Sequence, residues 1–338
     1  MATKNIAAYL TGPKVKPLEI KEAPMPTPAA NEVIIRTRAV GINPVDWVIL
    51  NQGAIVQEYP FILGFDISGD IHQVGANVTK FKAGDRVTAL VGGLGNNSKG
   101  GFQLFVRAEE SSVAKIPDFV TYAEGSVLPL CITTAASALF DKNQLALPLP
   151  QLEPKAQGKA VLIWGGSSVV GALAIQMVVA AGFDVATTAS SHNMESLRSL
   201  GAKYVFDRKK STIIEDIVTA LKDTEFGGCL VAAAFNKDSL GKVSLESSEI
   251  LQCGEIAKKL GGNMFVQTVK APPPGMPCEF INPLKDQRVN IYLLLVCVVT
   301  EGLPEGVKTA NGKLLLFRVC EIRQLISLVS LGNCHPGK

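Results

Sequence analysis

A short glycine- and serine-rich turn directly after an apolar run is the first feature of this sequence that could do chemistry. The run covers residues 160–164, and apolar residues recur at helical spacing after the turn. Backbone N–H groups at the start of such a helix, together with the helix dipole, can bind a pyrophosphate. The residues predicted to bind dinucleotide phosphates are Gly165, Gly166, Ser167, Ser168, Val169, Val170 and Gly171.

This turn differs at one position from the usual dinucleotide-binding pattern. Residues 166–171 read GxSxxG, with Ser168 in place of the middle glycine. Gly166 permits the sharp turn, and Gly171 allows the helix to lie close to the strand. The serine reduces backbone clearance, but its hydroxyl can donate to a phosphate oxygen. The alternative interpretation is an ordinary strand-turn-helix crossover that binds no ligand.

Polar residues after the second predicted strand of this segment help to distinguish an NAD site from an NADPH site. An NAD site usually places a carboxylate about twenty residues after the glycine turn, where it binds the ribose 2′-hydroxyl. This chain has neutral donors there instead, and Arg208 with two lysines follows the strand after that. These groups suit the additional phosphate of NADPH, although Arg208 could equally belong to a solvated turn. The predicted 2′-phosphate residues are Ser190, Ser191, His192, Asn193 and Arg208.

Composition restricts the class of protein. The 338 residues are 47% hydrophobic, enough for two domains, and a net charge of +3 without a basic block gives no indication of nucleic-acid binding. Seven scattered cysteines without a CxxC pair favour reduced thiols over a disulfide framework or a zinc lobe. Because the sequence shows neither a signal peptide nor an apolar run of membrane-spanning length, we expect a cytoplasmic protein without membrane contact.

The chain divides into a β-rich part and an alternating part. Short strands separated by turns up to about residue 120 predict a small, partly open barrel. After a proline-rich linker, strands predicted at 204–206, 229–233 and 264–269 alternate with helices at 194–200, 212–221 and 245–260. This alternation predicts an α/β fold with a doubly wound parallel sheet. The predicted domains are 1–125, 126–272, and a return segment with an atypical tail at 273–338.

An apolar run at residues 289–299 has two interpretations. It could be an edge strand through which two copies of the chain pair into a homodimer. It could instead be a buried interior strand.

Four segments of the N-terminal part together resemble a known family. Residues 39–46 (AVGINPVD), 63–69 (LGFDISG), 81–87 (FKAGDRV) and 100–103 (GGFQ) occur in this order. The chain is thereby similar, over about residues 5 to 270, to medium-chain dehydrogenase/reductases of the quinone-oxidoreductase type. The resemblance implies a GroES-like catalytic domain, a Rossmann domain and NADPH as cofactor.

Two further segments resemble one branch of this family. Residues 162–168 (LIWGGSS) and 189–193 (ASSHN) look closest to fungal proteins that include trans-acting polyketide enoyl reductases and relatives labelled zinc-binding dehydrogenases. This resemblance implies that the substrate is a small molecule or a polyketide acyl chain.

The same resemblance allows the zinc label to be tested against the residues. Zinc-dependent members carry a cysteine at the place of Asn43 and a His-Glu pair at the place of Phe65 and Asp66. Neither asparagine nor phenylalanine is a zinc ligand. The chain has only three histidines, His72, His192 and His335, and they suggest no other cluster. We therefore expect no metal.

A zinc-dependent alcohol dehydrogenase uses its metal ion to stabilise an alkoxide. A site without that ion is better suited to reducing an activated C=C bond, because hydrogen-bond donors can stabilise the negative charge of the enolate that forms. The resemblance places Asn43 and Pro44 beside the nicotinamide, although Asn-Pro is also a common turn. Asp66 is expected to organise the cleft rather than to transfer a proton. Thr133 and Thr134 could face the cofactor, or they could cap a helix predicted to begin there.

Two departures from the family pattern favour an alternative function. Many relatives carry a lysine at the place of Val48, and valine can neither donate a proton nor bind a phosphate. The tail from Gly302 to Lys338 also lacks the family's usual ending. The alternative is a catalytically impaired NADPH-binding sensor or partner module, or a truncated family member.

Overall fold

The computed structural model describes residues 3–232, 236–237, 243–244, 248–263, 266–269, 278–280, 308–309 and 312–313. Residue contacts divide the chain into two compact units, with the break between Leu130 and Cys131. The predicted strand at residues 289–299 lies outside the described residues, as does most of the tail after Gly302.

The first unit is built from antiparallel strands. One sheet of five strands has the order β7-β3-β5-β6-β8, and a second of three strands has the order β2-β1-β4. The strands are β1 (Asn5–Leu10), β2 (Glu19–Ala23), β3 (Glu32–Gly41), β4 (Phe61–Ile62), β5 (Asp66–Val74), β6 (Arg86–Leu90), β7 (Phe105–Glu109) and β8 (Val113–Lys115).

The core of this unit lies on one face of the five-stranded sheet. Val33 and Ile35 of β3, Ile67 and Ile71 of β5, and Val87 of β6 are all buried there. They are spaced two or four residues apart within each strand, as side chains on one face of a strand must be. The predicted β-rich domain is confirmed as an antiparallel, GroES-like architecture.

Three helices accompany these strands, and the break between the two units lies within the third. They are α1 (Pro44–Gln52), α2 (Tyr122–Gly125) and α3 (Pro129–Phe140). Local sequence explains α1, because Pro44 occupies its first turn, where a missing N–H costs nothing. Asp46 is the acidic residue of that turn, and Gly53 ends the helix in a left-handed conformation with φ of 66°.

The second unit contains a six-stranded parallel sheet with the order β11-β10-β9-β12-β15-β16. This is the doubly wound strand order, with the first strand in the middle, and it confirms the predicted Rossmann architecture. The elements are β9 (Lys159–Trp164), α4 (Val169–Ala180), β10 (Asp184–Ala189), α5 (Met194–Ser199), β11 (Tyr204–Asp207), α6 (Ile213–Leu221), β12 (Glu225–Val231), β13 (Asn236–Lys237), β14 (Val243–Ser244), α7 (Ser248–Leu260), β15 (Val266–Thr268), β16 (Cys278–Phe280), β17 (Lys308–Thr309) and β18 (Gly312–Lys313).

One strand of this sheet differs clearly from the sequence prediction. β12 begins at Glu225, four residues before the predicted start at Cys229. Its pairing with β9 shifts register between Phe226 and Cys229, and Gly228 has φ of 113°. Glycines at 227 and 228 therefore form an irregularity inside the strand, and the predicted strand at 229–233 did not include them.

Judged by length and composition alone, the helical stretch Tyr122–Phe140 could cross a membrane, since its mean hydropathy is 1.3. It comprises α2 and α3, which are separated by a turn at Ser126. Residues of its most apolar window are 67% buried within the protein. Burial to this extent is typical of helices that pack in a protein core.

Candidate active site

The loop from Gly165 to Ser168, called the glycine-serine loop below, lies at the carboxyl end of β9. Gly165 has φ of 86°, a conformation that favours glycine. Its N–H group donates to Oγ1 of Thr188 at 3.1 Å, and the N–H of Gly166 donates to the carbonyl of Thr188 at 3.1 Å. The loop is therefore held against the end of β10, the neighbouring strand.

Glycine is needed at both ends of the GxSxxG pattern because no Cβ fits. A Cβ on Gly166 would lie 2.2 Å from Oγ1 of Thr187. A Cβ on Gly171 would lie 2.4 Å from the carbonyl oxygen of Gly165. The first residue thus allows the loop to approach β10, and the second allows α4 to pack against the loop, as the spacing of the pattern predicts.

Ser168 is the N-cap of α4. Its Oγ accepts a hydrogen bond from the N–H of Gly171 at 3.0 Å and donates to the carbonyl of Gly165 at 3.0 Å. The hydroxyl that we expected to donate to a phosphate is thus engaged within the loop. The N–H groups of Val169 and Val170 belong to the first helical turn, where a helix offers no acceptor, and they remain for an anion.

The residues predicted to bind a 2′-phosphate come together at the end of β10. The N–H of Arg208 donates to the carbonyl of Ala189 at 3.0 Å, which places Arg208 beside the residue that precedes Ser190. Ser191–Asn193 forms a short 3-10 helix, and the side chains of Ser191, His192 and Arg208 are exposed. Exposed, uncharged or basic groups at this edge fit an anionic ligand.

The first unit holds a second group of polar residues, Asn43, Asp46 and Asp66, called the polar cluster below. All three are buried, with 6%, 3% and 1% of their surface exposed. Nδ2 of Asn43 donates to Oδ2 of Asp66 at 2.9 Å. The N–H of Asn43 donates to Oδ2 of Asp46 at 2.8 Å. The cluster therefore joins the end of β3, the start of α1 and the start of β5.

Asp66 also binds the start of α3. Its Oδ1 accepts a hydrogen bond from the N–H of Leu130 at 2.8 Å, within the first turn of that helix. Burial raises the pKa of Asp66 to about 7, while the hydrogen bonds from Asn43 and Leu130 lower it and the charge of Asp46 raises it further. Asp66 thus holds Asn43 and the start of α3 in place, and with a pKa of about 7 it is protonated at acidic pH. Its predicted role in organising the cleft stays a prediction.

Asp46 is a member of this cluster that the sequence analysis did not select. Besides the Asn43 N–H, it accepts a hydrogen bond from the N–H of Gly64 at 3.0 Å through Oδ1. Burial raises its pKa, against the effect of both hydrogen bonds. The signal was present in the sequence, because an Asn followed three residues later by an acid is a helix-capping pattern. No local sequence pattern predicts the hydrogen bond from Gly64, because it lies 18 residues from Asp46 in the chain.

The two threonines predicted to face the cofactor or cap a helix lie inside α3. Thr133 and Thr134 are 1% and 8% exposed and belong to the second unit. Because α3 begins at Pro129, neither of them occupies its N-cap, and the capping interpretation is wrong. Their predicted place beside the cofactor stays a prediction.

A zinc site needs several His, Cys, Asp or Glu side chains close together. Among the residues that the structure describes, no three or more His, Cys, Asp or Glu side chains are grouped so that they could hold a metal ion. The polar cluster contributes two carboxylates, and an asparagine and a phenylalanine occupy the places that the family resemblance assigns to zinc ligands. The donor set of this cluster does not fit zinc.

Comparisons with known proteins agree with this architecture. The alcohol dehydrogenase GroES-like domain matches residues 29–118. The dehydrogenase pigH of Monascus ruber is 37% identical over 315 residues, which cover 90% of this chain and 81% of the relative. The chain belongs to the medium-chain dehydrogenase/reductase superfamily. The resemblance to its fungal dehydrogenase and enoyl reductase branch is confirmed, and the protein is an oxidoreductase of this superfamily.

Two further members of the superfamily support this assignment. The trans-enoyl reductase himH of Aspergillus japonicus is 37% identical over 293 residues, covering 85% of this chain and 81% of that relative. The structure of an alcohol dehydrogenase superfamily protein from Novosphingobium aromaticivorans superposes with a TM-score of 0.68 at 25% identity, covering 99% of this chain and 89% of that one. Dehydrogenases of the superfamily bind nicotinamide cofactors.

Proposed function

We propose that this oxidoreductase uses NADPH, and no zinc, to reduce an activated C=C bond of an enone or enoyl substrate, or a quinone. The observation that carries the proposal is the buried hydrogen bond between Asn43 and Asp66. By the family resemblance, the amide of Asn43 lies where zinc-dependent relatives carry a cysteine, and the carboxyl group of Asp66 is bonded to it. Such a pair can donate hydrogen bonds and hold a proton, but it is not a Lewis acid.

The cofactor part of the proposal is supported by the fit of the glycine-serine loop. The first-turn N–H groups of Val169 and Val170 would bind the pyrophosphate, and glycine at position 166 allows the loop that precedes them to lie close to β10. Arg208, with Ser190 beside it, would bind the 2′-phosphate. NADPH, when bound, supplies a hydride to the substrate.

The polar cluster would hold the charge that develops on the substrate. An asparagine amide has two N–H donors, and Asn43 gives one of them to Asp66. The second is available to a carbonyl oxygen that becomes an enolate, and Asp66 fixes the orientation of the amide that carries it. Asp66 is therefore a positioning residue. With a pKa of about 7, it would also exchange a proton next to that amide near neutral pH.

The substrate class rests on the relatives as well as on the site. A relative named as a trans-enoyl reductase supports a small unsaturated molecule or a polyketide acyl chain as substrate. The cytoplasmic location stays a prediction, and so does the homodimer as one of the two interpretations of residues 289–299.

The activity can be tested with the purified protein, NADPH and a panel of enones, enoyl thioesters and quinones. We expect NADPH oxidation with at least one of these classes, undiminished by prior dialysis against a zinc chelator. Complete loss of activity on chelation, with recovery on adding zinc, would contradict the zinc-independent mechanism.

The preference for NADPH has its own test. Arg208→Ala should weaken NADPH binding about tenfold and leave NADH binding unchanged, because only NADPH carries the 2′-phosphate. Lys203→Ala, which removes an exposed cation paired with Asp184 outside that turn, serves as the matched control. Equal losses for both cofactors would contradict the role of Arg208.

A second candidate function is an NADPH-binding sensor without turnover. It is favoured by Val48, a half-buried residue of α1 at the place where the family resemblance implies a lysine. Thermal stabilisation by NADPH without its oxidation by any substrate in the panel would support this alternative and contradict the reductase.

A further inference from the structure

The turn between β11 and α6 carries a serine that the proposed mechanism does not use. Ser211 follows Arg208, Lys209 and Lys210, the only run of three consecutive basic residues in the sequence. Ser211 and all three basic residues are exposed. Protein kinases with an acidic peptide groove select a serine that follows basic residues, because carboxylates of the groove pair with the cations. The turn therefore has the charge pattern of a kinase substrate.

Backbone hydrogen bonds hold this turn and leave the Ser211 hydroxyl out. The N–H of Lys210 donates to the carbonyl of Asp207 at 3.2 Å, and the N–H of Ile213 donates to the carbonyl of Lys210 at 3.3 Å. Neither bond uses the serine side chain. The hydroxyl can therefore be modified without breaking the bonds that shape the turn.

The helix that follows can stabilise a phosphate on Ser211. α6 has nine residues, and its N-cap Thr212 makes no side-chain hydrogen bond to the first turn. The N–H groups of that turn therefore have no acceptor from the N-cap side chain. A phosphoserine one residue before the N-cap would bring strong acceptor oxygens and a charge of about −2, which the dipole of the helix favours.

Two carboxylates in the first turn of α6 also face this region, and both are already paired. Asp216 lies 3.3 Å from Nζ of Lys210, and Glu215 lies 3.4 Å from Nζ of Lys259. All four side chains are at least partly exposed, so these ion pairs are weak and exchange readily. A phosphate on Ser211, with its larger charge, would compete with Asp216 for Lys210.

The same turn adjoins the residues proposed to bind the 2′-phosphate of NADPH. Arg208 lies three residues before Ser211, so their Cα atoms are at most about 11 Å apart. The N–H of Arg208 donates at 3.0 Å to the carbonyl of Ala189, the residue before Ser190. A guanidinium group binds phosphate in bidentate geometry. A phosphate on Ser211 would therefore compete for Arg208 and would repel a second phosphate over about one Debye length.

We propose that Ser211 is a phosphorylation site through which a kinase with an acidic groove lowers the affinity of this protein for NADPH. Oγ of Ser211 forms a bond to the γ-phosphorus of ATP, and the bond from that phosphorus to the β–γ bridging oxygen breaks, so that ADP leaves. The hydroxyl proton passes to a carboxylate of the kinase. The effect on the cofactor rests on the proposed function, because it requires that Arg208 binds the 2′-phosphate.

The first measurement is phosphorylation of the folded protein. The purified full chain is incubated with MgATP and the catalytic subunit of the cyclic-AMP-dependent kinase, which selects basic residues before serine, and mass spectrometry locates the phosphate. We expect it at Ser211 and not at Ser199, an exposed serine after Arg198 whose hydroxyl donates to the carbonyl of Ser196 at 2.7 Å. Ser211→Ala should abolish the modification. An unmodified wild type, or equal modification of wild type and Ser211→Ala, would overturn the proposal.

The second measurement is cofactor binding by calorimetry before and after phosphorylation. We expect the Kd for NADPH to rise about tenfold and the Kd for NADH, which lacks the 2′-phosphate, to change less than about twofold. The rise should become smaller in about 0.5 M salt, because the charges involved are exposed. Equal losses for both cofactors would indicate a general distortion of the site and would overturn the link to Arg208.

Two variants of similar size separate the effect of charge from the effect of volume. Ser211→Glu introduces one negative charge and should raise the Kd for NADPH about threefold. Ser211→Gln introduces none and should leave it unchanged. Both alter an exposed side chain, so the fold should persist. Equal Kd values for the two variants would contradict an electrostatic mechanism.

The unmodified protein distinguishes failure of this inference from failure of the proposed function. If it prefers NADPH over NADH and phosphorylation at Ser211 leaves that preference unchanged, the inference is wrong and the proposed cofactor stands. If it binds NADPH no better than NADH before any modification, the proposed cofactor and its regulation are both wrong.

Discussion

The glycine-serine loop and the polar cluster are made from different parts of the chain. The loop takes all its residues from one strand-turn-helix segment and offers backbone N–H groups at a partly exposed helix start. The polar cluster takes side chains from residues 43, 46 and 66 and backbone donors from Gly64 and Leu130, and it is almost completely buried. A backbone site is therefore encoded locally, whereas a buried side-chain site depends on long-range packing.

The two sites also differ in electrostatics. Peptide dipoles of α4 give the loop a partial positive charge that does not depend on pH. The cluster holds two carboxyl groups whose pKa values are raised mainly by burial. Steric changes should therefore disrupt the loop, and changes in hydrogen bonding or pH should disrupt the cluster.

The largest expected effect is at Gly171. Gly171→Ala places a Cβ 2.4 Å from a backbone oxygen, which cannot move without separating α4 from the loop. We expect a loss of about 4 kcal/mol in the free energy of unfolding and no detectable NADPH binding. Gly227→Ala in β12, where the nearest atom to a Cβ is a methyl group at 3.2 Å, should cost less than about 1 kcal/mol. Urea denaturation and calorimetry measure both quantities, and similar losses for the two variants would contradict the steric argument.

The next largest effect is at Asp46, in the polar cluster. Asp46→Ala leaves the N–H groups of Asn43 and Gly64 without their acceptor, and we expect a loss of about 3 kcal/mol in the free energy of unfolding. Asp46→Asn retains one acceptor oxygen and should lose about half as much. If the alanine and asparagine variants were equally stable, Asp46 would not act through these two hydrogen bonds.

A smaller change in the free energy of unfolding, counted per pH unit, is expected from the titration of Asp66 in the polar cluster. The pKa of Asp66 is raised from about 3.8 to about 7 on folding, so the folded state binds the proton more tightly than the unfolded state. The contribution of Asp66 to stability is therefore complete below about pH 4 and is lost as the pH rises to about 7, with a slope of up to about 1.4 kcal/mol per pH unit. Denaturation at several pH values should show this decline in the wild type.

Two variants assign that slope to one residue. Asp66→Asn has no titrating group at this position and should flatten the decline between pH 4 and 7. Asp118→Asn, at a fully exposed carboxylate, should leave it unchanged. An unchanged slope in Asp66→Asn would show that other groups cause the pH dependence.

The smallest expected effect is at Ser168, in the loop. Ser168→Ala removes the N-cap of α4 and should cost about 1 kcal/mol in the absence of nucleotide. Ser167→Ala, whose side chain is exposed in the same loop, should cost almost nothing under the same conditions. Thermal denaturation compares the two, and a larger loss at Ser167 would contradict the assigned cap.

Local sequence predicted the loop well because every interaction that shapes it joins near neighbours or adjacent strands. The apolar run at β9, the two close-packing glycines and the helical spacing of α4 were all readable. Only the partners of the Ser168 hydroxyl differed from the prediction, since an N-cap serine can either bond its own helix or a ligand.

The polar cluster was predicted only in part. Asn43 and Asp66 were selected through the family resemblance, and the capping pattern would have added Asp46. Neither the bond from Gly64 nor the bond from Leu130 has a local signal, because their acceptors are 18 and 64 residues away in the chain. The start of α3 at Pro129 was missed for a related reason, since Asp66 from β5 provides an acceptor for its first turn.

By itself, the sequence determined the α/β class, the doubly wound sheet and the position of the glycine-serine loop, because periodicity and backbone conformation are local properties. Only the tertiary structure decided that Asp66 is buried with a raised pKa and that Asp46 joins α1 to the start of β5. Burial and hydrogen bonding between distant residues depend on how the whole unit packs, and packing leaves no periodic pattern in the sequence.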